Sequence, residues 1–428
     1  MPRYRLLAWM LTVLTVLGIN CIATAADAPA KPLRAGIIGL DTSHVIAFTK
    51  LLNDPNAQGD LADVQVVAGY PGGMKDNPSS WDRVPQYTKQ LREQGIEICE
   101  TIPELLEKVD VVLLESVDGR PHLEEAKPVI AAGKPLFVDK PLAGSLADSI
   151  EIFQLAEKAK VPCFSSSSLR FSSGFLAARR GEPFGKVKSC TAWSPMSIEP
   201  HHPDLFWYGI HGVEILFTIM GPGCEKVTRV EQNKVVGVWK DGRVGTFIGQ
   251  KGYGATVEGE KSSGDAGKYE GYKPLVVEIC RFFKTGKSPV AAAETLEIYA
   301  FMEAADESKR QGGKPVLLDT VMRKAVESKL ETDFKVPLPV KAVPAVTANT
   351  KIVEVNEDGS ITFERDNVTL EQLAERLAAA RKKDPNVSVL VRGDHKGKYE
   401  RVAEVLSACQ RAGVQQLKIA VRDSSPEN

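Results

Sequence analysis

No Cys-x-x-Cys pair, no excess of either charge and no apolar run long enough to span a bilayer occur in this chain of 428 residues. Each absence removes a class of function. The seven cysteines are widely spaced, which disfavours structural zinc, thioredoxin chemistry and a disulfide-stapled scaffold; buried free thiols are expected instead. Lysine and arginine number 54 against 55 aspartate and glutamate, so no basic field recruits nucleic acid. The leading apolar run, Leu6–Ile19, is shorter than the roughly 20 residues a membrane helix needs. Arg3 and Arg5 precede it and Ala23-Thr24-Ala25 follows, the layout of a signal peptide cleaved near Ala25 and hence of a secreted or periplasmic protein. There is no twin-arginine pair, which favours export as an unfolded chain. Asn20 before Cys21 makes a poor lipoprotein box.

Beyond the leader, short apolar strands alternate with helical patterns. Arg34–Gly39, Val64–Ala68, Glu97–Cys99, Asp110–Glu115 and Leu136–Val138 read as strands. Val45–Leu52 (capped by Ser43), Trp81–Gln94, Pro103–Lys108, Pro121–Ala132 and Ser145–Lys160 read as helices, the last opened by a Ser145-x-x-Asp148 cap. This order implies an α/β, Rossmann-like, doubly wound parallel sheet over about residues 33–162. From Val187 the pattern turns to strands separated by Gly-containing turns, after a helix expected at Pro203–Met220. That is an α+β second domain with a mainly antiparallel sheet, over 163–333. The Pro-containing stretch 334–350 reads as a linker. Residues 351–424 read as a compact ββαβαβ domain with a Thr369-x-x-Gln372 cap.

Lys140 sits at the carboxyl end of the strand Leu136–Val138, the edge where open α/β sheets bind ligands. The run His122 to Pro141, with Ala-Gly-Lys at 132–134 and Asp139-Lys140-Pro141, resembles the signature of the glucose–fructose oxidoreductase/inositol dehydrogenase (Gfo/Idh/MocA) family, with Asp139 in place of Glu. Ser168-Leu169-Arg170-Phe171 and Gly185-Lys186-Val187 match further in register, over roughly residues 33–335. The resemblance implies an oxidoreductase acting on a sugar or polyol with NAD or NADP. It places His122 and Asp139 beside the cofactor.

The dinucleotide fingerprint itself is degenerate. Of G-x-G-x-x-G, Gly39 holds the first position, but Asp41 and His44 replace the second and third. Asp41 puts a carboxylate where the pyrophosphate would lie, although Thr42, Ser43 and a protonated His44 could donate to an anion. The second strand runs into Gly69-Tyr70-Pro71-Gly72-Gly73, so no acidic residue closes it to hold a ribose. Both features argue against ordinary NAD(P) binding.

On the second-domain helix the family's Asp, four residues before its His, is lost: His211 is preceded by Trp207. Asp204, Tyr208, His211 and Glu214 fall on one helical face. Lys140, His211 and Tyr208 are the candidate acid/base set, His211 with a pKa near neutral. Arg170, His202 and Asp204 are candidate substrate contacts. No metal is expected, for want of a well-spaced carboxylate beside His201-His202. Three readings compete: an exported oxidoreductase, a redox-inactive carbohydrate-binding or envelope-assembly protein, and a non-redox hydrolase or lyase. Asp358-Gly359 before Ile361-Thr362-Phe363, the leucine helix, and Ala412-Gly413-Val414 resemble the periplasmic domain of the ExbD/TolR biopolymer-transport family. That resemblance implies a homo-oligomer or an envelope protein partner docked through 351–424.

Overall fold

A computed structural model describes residues 31–333, 350–385, 387–394, 399–414 and 416–422. The expected signal peptide with Cys21, and all but the last residue of the expected linker, lie outside them. The chain divides into two compact units, one up to Val316 and one from Leu317 onward.

The first unit begins with β1 (Leu33–Ile38), α1 (Ser43–Leu52), β2 (Val64–Tyr70), α2 (Pro78–Trp81), α3 (Val84–Glu93), β3 (Glu97–Ile98) and α4 (Ile102–Lys108). It continues with β4 (Val111–Leu114), α5 (His122–Ala131), β5 (Leu136–Val138), α6 (Leu146–Ala159) and β6 (Cys163–Ser165). The strands form one parallel sheet in the order β3-β2-β1-β4-β5-β6. Chain direction across the sheet reverses between β1 and β4, and the crevice above that point is the ligand site of such folds. β4 and β5 are buried on both faces and accordingly read as unbroken apolar runs, Val111-Val112-Leu113-Leu114 and Leu136-Phe137-Val138.

Thr42 and not Ser43 caps α1, accepting from the His44 amide at 3.4 Å, and Ser43 is the first helical residue. The Ser145 cap is as expected, with Ser145 Oγ accepting from the Asp148 amide at 3.0 Å.

α7 (Ser173–Arg179) and β7 (Val187–Ser194) lead into α8 (Ile210–Met220), β8 (Cys224–Glu231), β9 (Lys234–Trp239), β10 (Val244–Gly249), β11 (Gly254–Gly259) and β12 (Ser263–Asp265). The seven-stranded sheet runs β12-β11-β7-β10-β9-β8-β13, where β13 is Val316–Leu317. All its documented pairs are antiparallel except β7 with β10. α9 (Lys273–Thr285) returns to the first sheet. Its Leu275, Ile279 and Phe282 join Phe48, Phe137 and Phe164 in one core, each buried side chain contributing about 1.5–3 kcal/mol. α10 (Ala292–Arg310) reaches the loop after β5, where Tyr299 Oη accepts from the Leu142 amide. The six described cysteines are free thiols, all but Cys163 buried.

The expected helix at Pro203–Met220 is shorter than read. Residues 203–209 form turns and α8 starts at Ile210. Asp204 is therefore off the helix, and the polar stripe inferred from i, i+4, i+7 spacing begins only at His211.

The second unit holds α11 (Leu318–Asp333), which sequence had assigned to the preceding domain, then β14 (Thr350–Val355), β15 (Ile361–Phe363) and β16 (Asp366–Val368). α12 (Leu370–Lys383), β17 (Ser388–Asp394), α13 (Tyr399–Arg411) and β18 (Gln416–Arg422) follow. The sheet order is β16-β15-β14-β17-β18. β16 makes the order βββαβαβ instead of ββαβαβ. Its hairpin turn uses Glu364 and Arg365 at φ 53° and 77°, left-handed conformations that glycine or asparagine normally announces. Thr369 and Gln372 make the expected capping box.

Candidate functional site

The loops after β1, β4 and β5 face the start of α8 across a small cavity within the first unit. Its volume is about 170 Å³, and Lys140, His211, Tyr208 and His44 line it together with Thr42 and Ser43. Trp207, Tyr253, Tyr269 and Tyr272 give it aromatic walls, beside Ser79, Arg83, Val117, Ser168 and Leu169. The three acid/base candidates, one from the loop after β5 and two from the entry to α8, thus share one cavity.

His211 lies in the first turn of α8, with Nδ1 2.8 Å from Ser167 Oγ and its ring edge-on to Tyr208 and Tyr253. Burial, reinforced by the charges of Lys140 and His44, holds its pKa well below the usual histidine value. This corrects the near-neutral expectation: His211 rests unprotonated, as a base. Lys140 projects from the end of β5, its Nζ 3.7 Å from Asp139 Oδ2. Asp139 Oδ2 also lies 2.7 Å from His44 Nδ1. Burial alone would raise the Asp139 pKa, but His44 and Lys140 outweigh it and keep the carboxylate ionised. Behind them Glu115, at the end of β4, is fully buried, 3.8 Å from His44 Nδ1. Burial and then the Asp139 charge push its pKa well up.

The remaining candidates sit elsewhere. Arg170 is not free for substrate: Nε donates to Glu214 and Nη1 to Glu294 (2.8 Å), all three buried. Burial of the guanidinium is outweighed by these two carboxylates, which raise its pKa. Asp204 pairs with Lys309 at 2.7 Å and Arg229 at 3.2 Å, away from the cavity. His202 is enclosed between Glu199 (2.7 Å) and Asp118 (3.1 Å), which overcome its burial and raise its pKa. His122 is buried against two backbone carbonyls. Its Nε2 donates to Ser116 O at 2.8 Å and its Nδ1 lies 3.2 Å from Leu142 O. The ring therefore ties the loop after β4 to the loop carrying Lys140, and burial lowers its pKa.

The dinucleotide cradle is filled by the chain itself. Gly39 has φ +85°, and a Cβ there would fall 2.2 Å from Ser116 Oγ and 2.4 Å from Ser116 N; the glycine is required by internal packing. Asp41 is buried, its Oδ1 accepting from the Val117 amide (2.8 Å) and its Oδ2 from Ser80 Oγ (2.5 Å). Burial raises its pKa against those two hydrogen bonds. The β1–β2 ladder continues past the strands, with the Leu40 amide donating to Pro71 O at 2.7 Å. Across the crevice Asn77 Nδ2 donates to Asp118 (3.0 Å), and Arg120 holds both Asp118 and Asp76 (2.7 and 2.8 Å). Asp118 stays ionised because these partners and His202 outweigh its burial. These groups are bonded to one another, and the cavity is roughly half the lower end of the ~300–1,000 Å³ range of drug-sized sites. The residues at the altered fingerprint are thus already bonded within the chain.

Sequence reading missed Glu115, Ser80, Ser167 and the tyrosine wall. Only the tyrosines left a trace, as three in the Gly-rich stretch 252–272. Glu115 looked like the last residue of an apolar strand.

Residues 79–167 match the family model for the oxidoreductase family with an NAD-binding Rossmann fold, GFO_IDH_MocA, and residues 315–424 match that for biopolymer transport protein ExbD/TolR. An uncharacterized oxidoreductase of Escherichia coli, YhhX, is 32% identical over 93 residues, 22% of this chain and 27% of that protein. The biopolymer transport protein ExbD of Pseudomonas aeruginosa is 27% identical over 86 residues, 20% of this chain and 65% of that protein. The alignments thus span about a quarter and somewhat under two thirds of these curated relatives. A scyllo-inositol dehydrogenase from Lactobacillus casei, solved with NAD(H) and scyllo-inositol, superposes with TM-score 0.54 at 13% identity, covering 68% of this chain and all of that one. At that identity the likeness shows the fold. An oxidoreductase-family Rossmann region and an ExbD/TolR region therefore follow one another on one chain. No helix among the described residues is long and apolar enough to cross a membrane.

Proposed function

We propose that a chain joining a Gfo/Idh/MocA-type fold to an ExbD/TolR-like region uses its first unit to hold a small sugar or polyol, and acts on it without a dinucleotide. The observation that carries this reading is the filled cradle: Asp41 occupies the Val117 amide while Lys140, His211 and Tyr208 still line a cavity. Aromatic walls suit the apolar ring faces of a sugar, and the few polar groups orient its hydroxyls. Lys140 would hydrogen-bond the reacting oxygen. His211, unprotonated, would take a proton from a ligand hydroxyl. An exported protein, as its leader suggests, would meet such ligands outside the cytoplasm.

Calorimetry with a panel of monosaccharides, inositols and sugar acids tests this. Saturable binding by the wild type, weakened at least tenfold in the folded fraction of Lys140→Met (about 1.4 kcal/mol), is expected. No binding across the panel would sink it.

A second reading keeps the family's NAD(P)-dependent oxidation of such a ligand. It is favoured by Lys140 at the end of β5 and by the NAD(H) complex of the inositol dehydrogenase neighbour.

For the second unit we propose a docking or dimerising role, supported by the family match and by a core of its own around Val353, Phe363, Leu373, Leu377, Val391 and Val405. Light scattering on a chain ending at residue 344 should show a lower oligomeric mass than the full chain. An unchanged stoichiometry would rule the role out.

A further inference from the structure

We propose that His44, Glu115 and Asp139 bind one divalent first-row transition-metal ion, such as Mn²⁺ or Zn²⁺, beneath the cavity floor. The first turn of α1 and the loops after β4 and β5 bring them together, and one ligand atom from each lies within 4.8 Å of the others. His44 Nδ1 is 2.7 Å from Asp139 Oδ2 and 3.8 Å from Glu115 Oε2. Two atoms bonded to one ion at about 2.1 Å can stand up to about 4.2 Å apart, so a shared ion reaches both pairs. One imidazole nitrogen and two carboxylate oxygens suit these borderline ions better than a thiolate-seeking one.

A second observation points to a ligand. Glu115 is wholly buried, yet neither carboxylate oxygen receives a hydrogen bond, and Asp139 Oδ1 has no partner either. Buried polar atoms are paired in nearly all native structures, so three orphaned oxygens in one place call for a missing cation or donor. Lys140 is the one fixed cation described against the pair, 3.7 Å from Asp139. Ionising both buried carboxylates therefore needs positive charge beyond Lys140, which a divalent ion supplies. Each ligand also stands where the chain departs from the pattern of its fold. His44 replaces a fingerprint glycine and Asp139 a glutamate, while Glu115 ends an otherwise apolar strand.

This inference goes beyond the ligand reading and is tested without any ligand. Full-length protein is stripped with chelator, titrated with Mn²⁺ and Zn²⁺ by calorimetry, desalted and analysed by elemental mass spectrometry. About one ion per chain is expected, with affinity at least 100-fold weaker in Glu115→Gln. A Co²⁺-loaded wild type should show ligand-field bands of nitrogen and oxygen donors and no thiolate charge-transfer band, a readout that stands if the variant does not fold. Fewer than about 0.1 ion per chain, a thiolate band, or equal binding by a folded Glu115→Gln would each overturn the proposal. In the first case Glu115 is satisfied by a proton of its own.

Discussion

Calorimetric titration of the wild-type protein with NAD or NADP should give no saturable heat up to millimolar concentration. A Kd weaker than 1 mM corresponds to less than about 4 kcal/mol of binding, against about 8 kcal/mol for a micromolar site. Asp41 is one of several reasons for the deficit. A carboxylate about 4 Å from one phosphate charge costs on the order of 4 kcal/mol at an effective dielectric near 20, and it also occupies the Val117 amide. Asp41→Gly alone should recover little. The Leu40 amide would still be held by Pro71, and Arg120 would still bridge Asp76 and Asp118 across the crevice. Micromolar binding by the wild type, or nicotinamide dinucleotide released on denaturation, would reinstate NAD(P)-dependent oxidation as the leading reading.

Replacement of Arg170 by Met should be the most destabilising single change in the first unit. The guanidinium lies buried between Glu214 and Glu294, with Arg179 completing the group at 2.8 Å from Glu294. Removing one member leaves a carboxylate charge uncompensated inside the protein, a loss of about 3–5 kcal/mol. In a unit of this size that is roughly 5–8 °C in melting temperature. The sequence had suggested a substrate contact there, and the two roles separate cleanly. A structural Arg170 lowers the melting temperature and leaves ligand affinity of the folded fraction unchanged. A large loss of affinity at constant stability would restore the substrate-binding role. Glu214→Gln combined with Arg170→Met should be less damaging than the sum of the two, since contacting partners couple by about 0.5–3 kcal/mol.

The order of elements in both units was legible because each rests on local signals. Buried strands such as Val111–Leu114 are continuous apolar runs, and Ser145 and Thr369 announce their helices through side chains that reach the next turn. The failures are local signals that tertiary contacts overrode. Pro203 and the spacing of Asp204, Tyr208 and His211 read as a helix, but Asp204 is drawn to Arg229 and Lys309 and the chain turns until Ile210. The hairpin before β16 was invisible because Glu364 and Arg365 occupy conformations their side chains disfavour.

What the sequence determined by itself was a parallel sheet with Lys140 at its ligand edge, a second sheet packed against the helix of His211, a separate C-terminal module, and a degenerate dinucleotide fingerprint. These follow from periodicity, caps and a few motif positions, all properties of residues near one another in the chain. Only tertiary structure decided what the charged and polar side chains do. Arg170 and Asp204 went to ion pairs, His122 to a loop tie, and Glu115 to a buried place beside His44 and Asp139. A charge takes its role from the partners and the dielectric around it, and tertiary folding brings those together, as with the Arg170 partners Glu214 and Glu294, 44 and 124 positions away, which no local pattern encodes.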